Sequence, residues 1–176
     1  MNIIDVIGPV MIGPSSSHTA GAVRLGMMAL SILGEEVAEA KILLHGSFAE
    51  TYKGHGTDMA LLAGLMGWAP DDARIPQAKE LAAEAGMKYE FCKKNLGSAV
   101  HPNSVQFILT GKSGATIELT GCSIGGGQIM VTNIDGMDVE FSGKLHALIT
   151  RHVDKRGVIN MISGILADEG INIATM

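Results

Sequence analysis

The order of apolar and polar positions divides the chain into a helical first half and a strand-rich middle. After a short apolar N-terminal segment (MNIIDVIGPV), Ala20 to Leu33 is rich in Ala, Leu and Met and stops at Gly34, which predicts a helix. Lys41 to His45 (KILLH) predicts a short buried strand. Gly46 to Tyr52 leads into a Gly/His loop, and a second helix follows from Met59 to Met66, with Thr57 or Asp58 as its N-cap. Trp68-Ala69-Pro70 ends that helix, and Pro76 in a first turn starts another that runs to Gly86. The pattern then changes. Met87 to Lys93 reads as a strand, Ser104 to Thr110 and Ala115 to Gly121 flank the turn Gly111 to Gly114, and Gln128 to Ile134 and Met137 to Phe141 flank Asp135-Gly136. Both pairs carry hairpin signals. Helices first and antiparallel strands after them predict an α+β domain with two layers.

Ser142-Gly143 is the candidate boundary, dividing the chain into 1–143 and 144–176. Beyond it, Leu145 to His152 reads as a strand, Asp154 to Gly157 as a loop, Val158 to Glu169 as a helix capped by Gly170, and Ile171 to Met176 as a second strand. Such a βαβ start buries too little apolar surface to stand alone. It either docks on the first domain or has been cut short, and truncation is the favoured expectation.

Composition narrows the class of partner. Only 18% of residues are charged, against about 25% in an average globular chain, which suggests a surface partly covered by another subunit. A net charge of -5 argues against nucleic acid, whose binding needs clustered Lys and Arg. No segment has the ~18 apolar residues of a membrane span, and the N-terminus has no secretory pattern, so the chain reads as cytoplasmic. Cys92 and Cys122 make neither a disulfide framework nor a metal-ligand cluster.

The chemistry gathers in two loops, Gly13-Pro14-Ser15-Ser16-Ser17-His18-Thr19 and Lys53-Gly54-His55-Gly56-Thr57-Asp58. Each is expected to run into a helix N-terminus, where unpaired N–H groups favour an anion. Ser15, Ser16, Ser17 and Thr19 add hydroxyls, and His18 and His55 suit proton transfer near neutral pH. Plainer roles stand beside these: serines as helix caps, His55 as an exposed turn residue, His45 as a structural residue and His101 as a turn residue held by an Asx-type bond. The residues alone indicate a site for a small anionic molecule with one or two histidines.

The two loops resemble the first two signatures of the iron–sulfur-dependent L-serine dehydratase (L-serine ammonia-lyase) beta chain family. His101-Pro102-Asn103 and Ser123-Ile124-Gly125-Gly126-Gly127 resemble two further ones, in the expected order. Residues from Leu145 onward resemble the first half of an ACT domain. The resemblance implies an α+β, mixed-sheet domain of the allosteric-substrate-binding type followed by an incomplete ACT-like unit. It also implies conversion of L-serine to pyruvate and ammonia, with a [4Fe–4S] cluster held by cysteines of a partner alpha chain and none held here. The chain would then be inactive alone and belong to a homo- or hetero-oligomer. On the matching positions His55 and His18 are the candidate catalytic residues, and Ser15, Ser16, Ser17, Thr19, Gly56, Thr57 and Asn103 the candidate substrate contacts. His55 is favoured as the base at Cα, with Asp58 orienting its ring and His18 as the alternative. A regulatory module sensing serine or another small anion is the competing reading.

Overall fold

The computed structural model describes residues 8–174; the N-terminal apolar segment up to residue 7 and residues 175–176 of the last expected strand lie outside them. Ser15, in extended backbone (φ -142°, ψ 124°), accepts the His18 N–H on its side chain and opens a π-turn over Ser16–Ala20. The Gly21 N–H closes that turn on the Ser16 carbonyl. Helix α1 (Gly21–Leu33) continues from it and ends where Gly34 turns left-handed (φ 78°) with its N–H on the Leu30 carbonyl. The expected Gly/His loop is instead the end of a helix. α2 spans Gly46–His55, and Gly56 (φ 67°) joins it directly to α3 (Thr57–Leu65). Only glycine adopts that left-handed joint without penalty. A 3-10 turn at Ile75–Gln77 leads into α4 (Ala78–Glu84).

Among the described residues the six strands are β1 (Val37–Leu44), β2 (Lys88–Lys93), β3 (Ser104–Gly111), β4 (Thr116–Gly125), β5 (Gln128–Ile134) and β6 (Met137–Phe141). They form one mixed sheet in the order β2-β1-β3-β4-β5-β6. All pairings are antiparallel except β1 with β2. A parallel pair needs a long crossover, and α2, α3 and α4 supply it. Alternate strand residues are buried: Ala40, Ile42 and Leu44 on β1, and Val105, Phe107 and Leu109 on β3. These join Val23 and Leu25 of α1 and Leu61 and Leu65 of α3 in one core. Gly121 on β4 makes room for α1, since a Cβ there would stand 2.8 Å from Leu25 Cδ2. The architecture is the expected α+β arrangement.

The chain divides after His146 into two units. In the second, helix α5 (Val158–Asp168) forms as expected. Gly170 (φ 70°) caps it, with Gly170 N–H on Ala167 O and Ile171 N–H on Leu166 O. The segments on either side carry no strand pairing among the described residues.

Candidate functional site

α2 builds one wall of the site from residues that share a helical face: Ser47, Phe48, Thr51 and His55. The π-turn delivers His18 onto that face. The His18 ring lies edge-on to His55, with centroids 4.8 Å apart, and edge-on to Phe48 at 5.2 Å. Its Nδ1 is 3.3 Å from Ser15 Oγ and its Nε2 is 3.1 Å from Ser47 Oγ. The two histidine segments, far apart in sequence, therefore meet ring to ring.

The other two motif-like segments join the same assembly. Pro102 O accepts the Phe48 N–H at 3.4 Å, and a Cβ on Gly46 would stand 2.6 Å from that oxygen. Asn103 O accepts the Ser123 N–H at 3.0 Å. Ser123 in turn lies against Gly21, where a Cβ would be 2.2 Å from its Oγ. The path thus runs from the π-turn through α2, residues 101–103 and Ser123 back to the start of α1. Sequence reasoning missed Ser47; a lone serine ahead of the expected loop gives no signal, and only α2 aims it at His18.

One expectation changes. Asp58 does not orient His55: its carboxylate is buried, pairs with Lys79 Nζ at 2.5 Å and accepts the Met59 N–H. That pairing, through its hydrogen bond first, raises the Lys79 pKa. Ser15 Oγ accepts the N–H of His18 at 3.2 Å, so this serine caps the turn. Gly127 serves the protein's own packing. A Cβ on Gly127 would lie 2.9 Å from Pro9 Cδ, and Arg24 Nη1 donates to Gly127 O at 2.6 Å. The plainer readings of two other histidines fit: His45 Nδ1 accepts the Leu96 N–H, and His101 Nδ1 accepts the Asn103 N–H. A cleft of about 560 Å³ beside Arg24, Met28, Gly127 and Lys144 shares no residue with the histidine pair.

Of the remaining candidates, Ser16, Ser17 and Gly56 are half-buried, while Thr19 and Thr57 are buried. Thr19 Oγ1, Thr57 Oγ1, Ser123 Oγ and His55 Nδ1 are buried without a hydrogen-bond partner among the described residues. Orphaned buried polar atoms are rare in folded proteins, so four of them on the segments of one assembly mark a polar site.

Burial, and after it the neighbouring His55, lowers the His18 pKa below its ordinary 6.5. The unfolded chain therefore holds that proton more tightly. This stability contribution is fully present above the ordinary pKa and is lost as pH falls from there toward the folded value. The urea midpoint should fall as pH drops below His18's ordinary 6.5, and fall less in His18→Asn. Asp72, held down to about 2 by Arg74, titrates well below that window. Equal slopes in the two proteins would contradict the assignment.

A sequence model of the family described as "Serine dehydratase beta chain" matches residues 3–134. The chain belongs to that family. It is 44% identical over 172 residues to the L-serine dehydratase beta chain of Peptoniphilus asaccharolyticus, covering 98% of this chain and 78% of that one. It is also 44% identical over 175 residues to the probable L-serine dehydratase beta chain of Bacillus subtilis, covering 99% and 79%. A more distant likeness, 30% over 158 residues, is to D-3-phosphoglycerate dehydrogenase of Archaeoglobus fulgidus, of which it covers 29%. All four motif-like segments lie within the stretch matched by the serine dehydratase beta chain family, so the histidine assembly is built from family sequence.

The donor set within this beta-chain fold does not suit a [4Fe–4S] cluster, which takes three or four thiolates. Among the described residues no group of three His, Cys, Asp or Glu is placed to hold a metal ion. Cys92 on β2 and Cys122 on β4 are separated by β1 and β3, about 14 Å at the usual strand spacing. Burial also raises the Cys122 pKa, which keeps the thiol protonated. Among the described residues no helix is long and apolar enough to cross a membrane.

Proposed function

We propose that this chain is the beta subunit of an iron–sulfur-dependent L-serine ammonia-lyase and supplies anchoring and proton-transfer residues to a site completed by an alpha chain. The observation that carries the reading is the meeting of His18 and His55 at 4.8 Å inside an assembly of all four family-like segments. The [4Fe–4S] cluster is assigned to cysteines of the alpha chain, and L-serine is the substrate.

Loss of water from serine needs a base at Cα, a grip on the carboxylate and an electrophile for the departing hydroxyl. This chain offers the first two. His55 takes the Cα proton, because its Nδ1 has no partner while both nitrogens of His18 are held by serines. Ser16, Ser17 and Thr19 on the π-turn, with Gly56 and Thr57 at the α2–α3 joint, line the approach to the pair and hold the carboxylate. Asn103 supports the same wall through its backbone. The electrophile belongs to the alpha chain. Aminoacrylate leaves the site and hydrolyses to pyruvate and ammonia.

The test is anaerobic reconstitution with the cysteine-bearing partner, following pyruvate from L-serine. The mixture should turn over and each chain alone should not. Turnover by this chain alone, or no complex with the partner, would overturn the proposal. The regulatory reading draws on the likeness to part of a dehydrogenase with a different reaction. Serine binding to this chain, with full activity in a partner that lacks it, would favour that reading.

A further inference from the structure

His18 is gripped at both ends of its ring, and the two grips together set its tautomer. Ser15 Oγ accepts the His18 backbone N–H at 3.2 Å and lies 3.3 Å from His18 Nδ1. The amide takes one of that oxygen's two lone pairs, and turning the hydroxyl's own proton onto Nδ1 completes a continuous chain. An amide-to-hydroxyl-to-ring chain polarises in one direction, which strengthens each link. Nδ1 is then the acceptor, and a neutral imidazole with an acceptor at Nδ1 carries its proton on Nε2. The Nε2 position is 3.1 Å from Ser47 Oγ.

We propose that Ser47 is a positioning residue: it accepts the Nε2 proton of His18 and thereby fixes a neutral, stationary His18 beside the base His55. The inference rests on the proposed role of His55. A base that takes a proton from Cα becomes a cation, and a charged ring 4.8 Å away would oppose that charge. A neutral neighbour with both nitrogens engaged does not. The lowered His18 pKa is consistent with this. Helix α2 makes the placement rigid. Ser47 stands in its first turn, next to Phe48, which is fully buried and packs on the same ring, and the Thr51 hydroxyl donates to the Ser47 carbonyl at 2.8 Å. The side chain is thus presented from an ordered turn that the neighbouring Pro102 carbonyl also braces.

The test has two readouts. In the full chain, imidazole 15N NMR should find His18 as the neutral Nε2–H tautomer at a pH above its titration. Finding the Nδ1–H tautomer or the imidazolium in the unaltered protein overturns the proposal without any variant. In Ser47→Ala the two tautomers should mix, and in the reconstituted enzyme kcat should fall roughly tenfold with KM little changed, the scale of one lost hydrogen bond. Ser47→Thr, which keeps the hydroxyl, should restore both the tautomer and kcat. An unchanged tautomer in Ser47→Ala, or a Ser47→Thr protein as impaired as Ser47→Ala, rejects the role. The NMR result does not depend on turnover. A failed assignment to His55 and a failed assignment to Ser47 are therefore told apart.

Discussion

Gly64→Ala is expected to destabilise the chain by about 3 kcal/mol or more, at the upper end of what overpacking costs, even though alanine is the better helix former. α1 and α3 cross where Gly26 faces Gly64. A Cβ on Gly64 would stand 2.1 Å from the Val23 carbonyl oxygen and 2.8 Å from Gly26 Cα. A Cβ on Gly26 would meet Leu61 O at 2.5 Å and Gly64 Cα at 2.9 Å. Every one of these neighbours is backbone, so no side chain can swing aside and the helices must separate. Separation opens the core at Val23, Leu25, Leu61 and Leu65, all buried to within 1% of complete. It also moves the π-turn ahead of α1 away from the Gly56 joint ahead of α3, and with them His18 from His55. Gly54→Ala is the contrast. Gly54 lies inside α2, nothing lies within 4 Å of its Cβ position and its φ is not left-handed. There the propensity gain of up to about 1 kcal/mol should appear as stabilisation. Urea unfolding of the two variants side by side checks both signs. A Gly64→Ala protein as stable as the parent would mean that the close crossing is wrong.

That crossing could not be read from the sequence, whereas the hairpins could. Asp135-Gly136 predicts a tight turn because both positions must take positive φ, and they do, at 50° and 79°. Strands β5 and β6 fall at the expected residues because their turn chemistry is local. α2 was illegible for the opposite reason. Gly46, Ser47, Thr51 and Gly54 are weak helix formers, and the helix forms because Phe48 buries completely and the Phe48 N–H finds the Pro102 carbonyl, far along the chain. The site divides in the same way. His18 and His55 stand out as residue types in a pattern, but their ring contact depends on a π-turn and on a helix in place of the expected loop. Asp58 looks like the partner of a histidine three positions away until Lys79, brought over by α4, takes it. In each of these cases the sequence displays the group and the tertiary fold chooses its partner.

His55→Ala in the reconstituted enzyme is expected to lower kcat by roughly 10²- to 10⁴-fold, the range for removing a general acid or base, with little change in KM for serine. The lost group is the one the proposal assigns to the Cα proton, which it meets only as that proton leaves. His18→Ala should cost less in kcat and raise KM, because a ring held by Ser15 and Ser47 orders the approach and does not carry the proton. The double variant should be scarcely worse than His55→Ala, since two rings in contact act as one unit and their effects do not add. Exchange of the Cα hydrogen of serine with deuterated water gives an independent reading: it should vanish in His55→Ala and persist, more slowly, in His18→Ala. The reverse order would transfer the base to His18. Turnover surviving both substitutions would remove proton transfer from this chain altogether. Stability should separate from activity in the same proteins. His55 is half-buried and keeps a buried Nδ1 without a partner, which costs on the order of 1–3 kcal/mol in the folded state. Removing the ring relieves that cost and forfeits some packing on His18, so the unfolding midpoint of His55→Ala should stay within about 1 kcal/mol of the parent. A large loss of activity with an unmoved midpoint is the pattern expected where a polar group is kept for chemistry at the expense of stability.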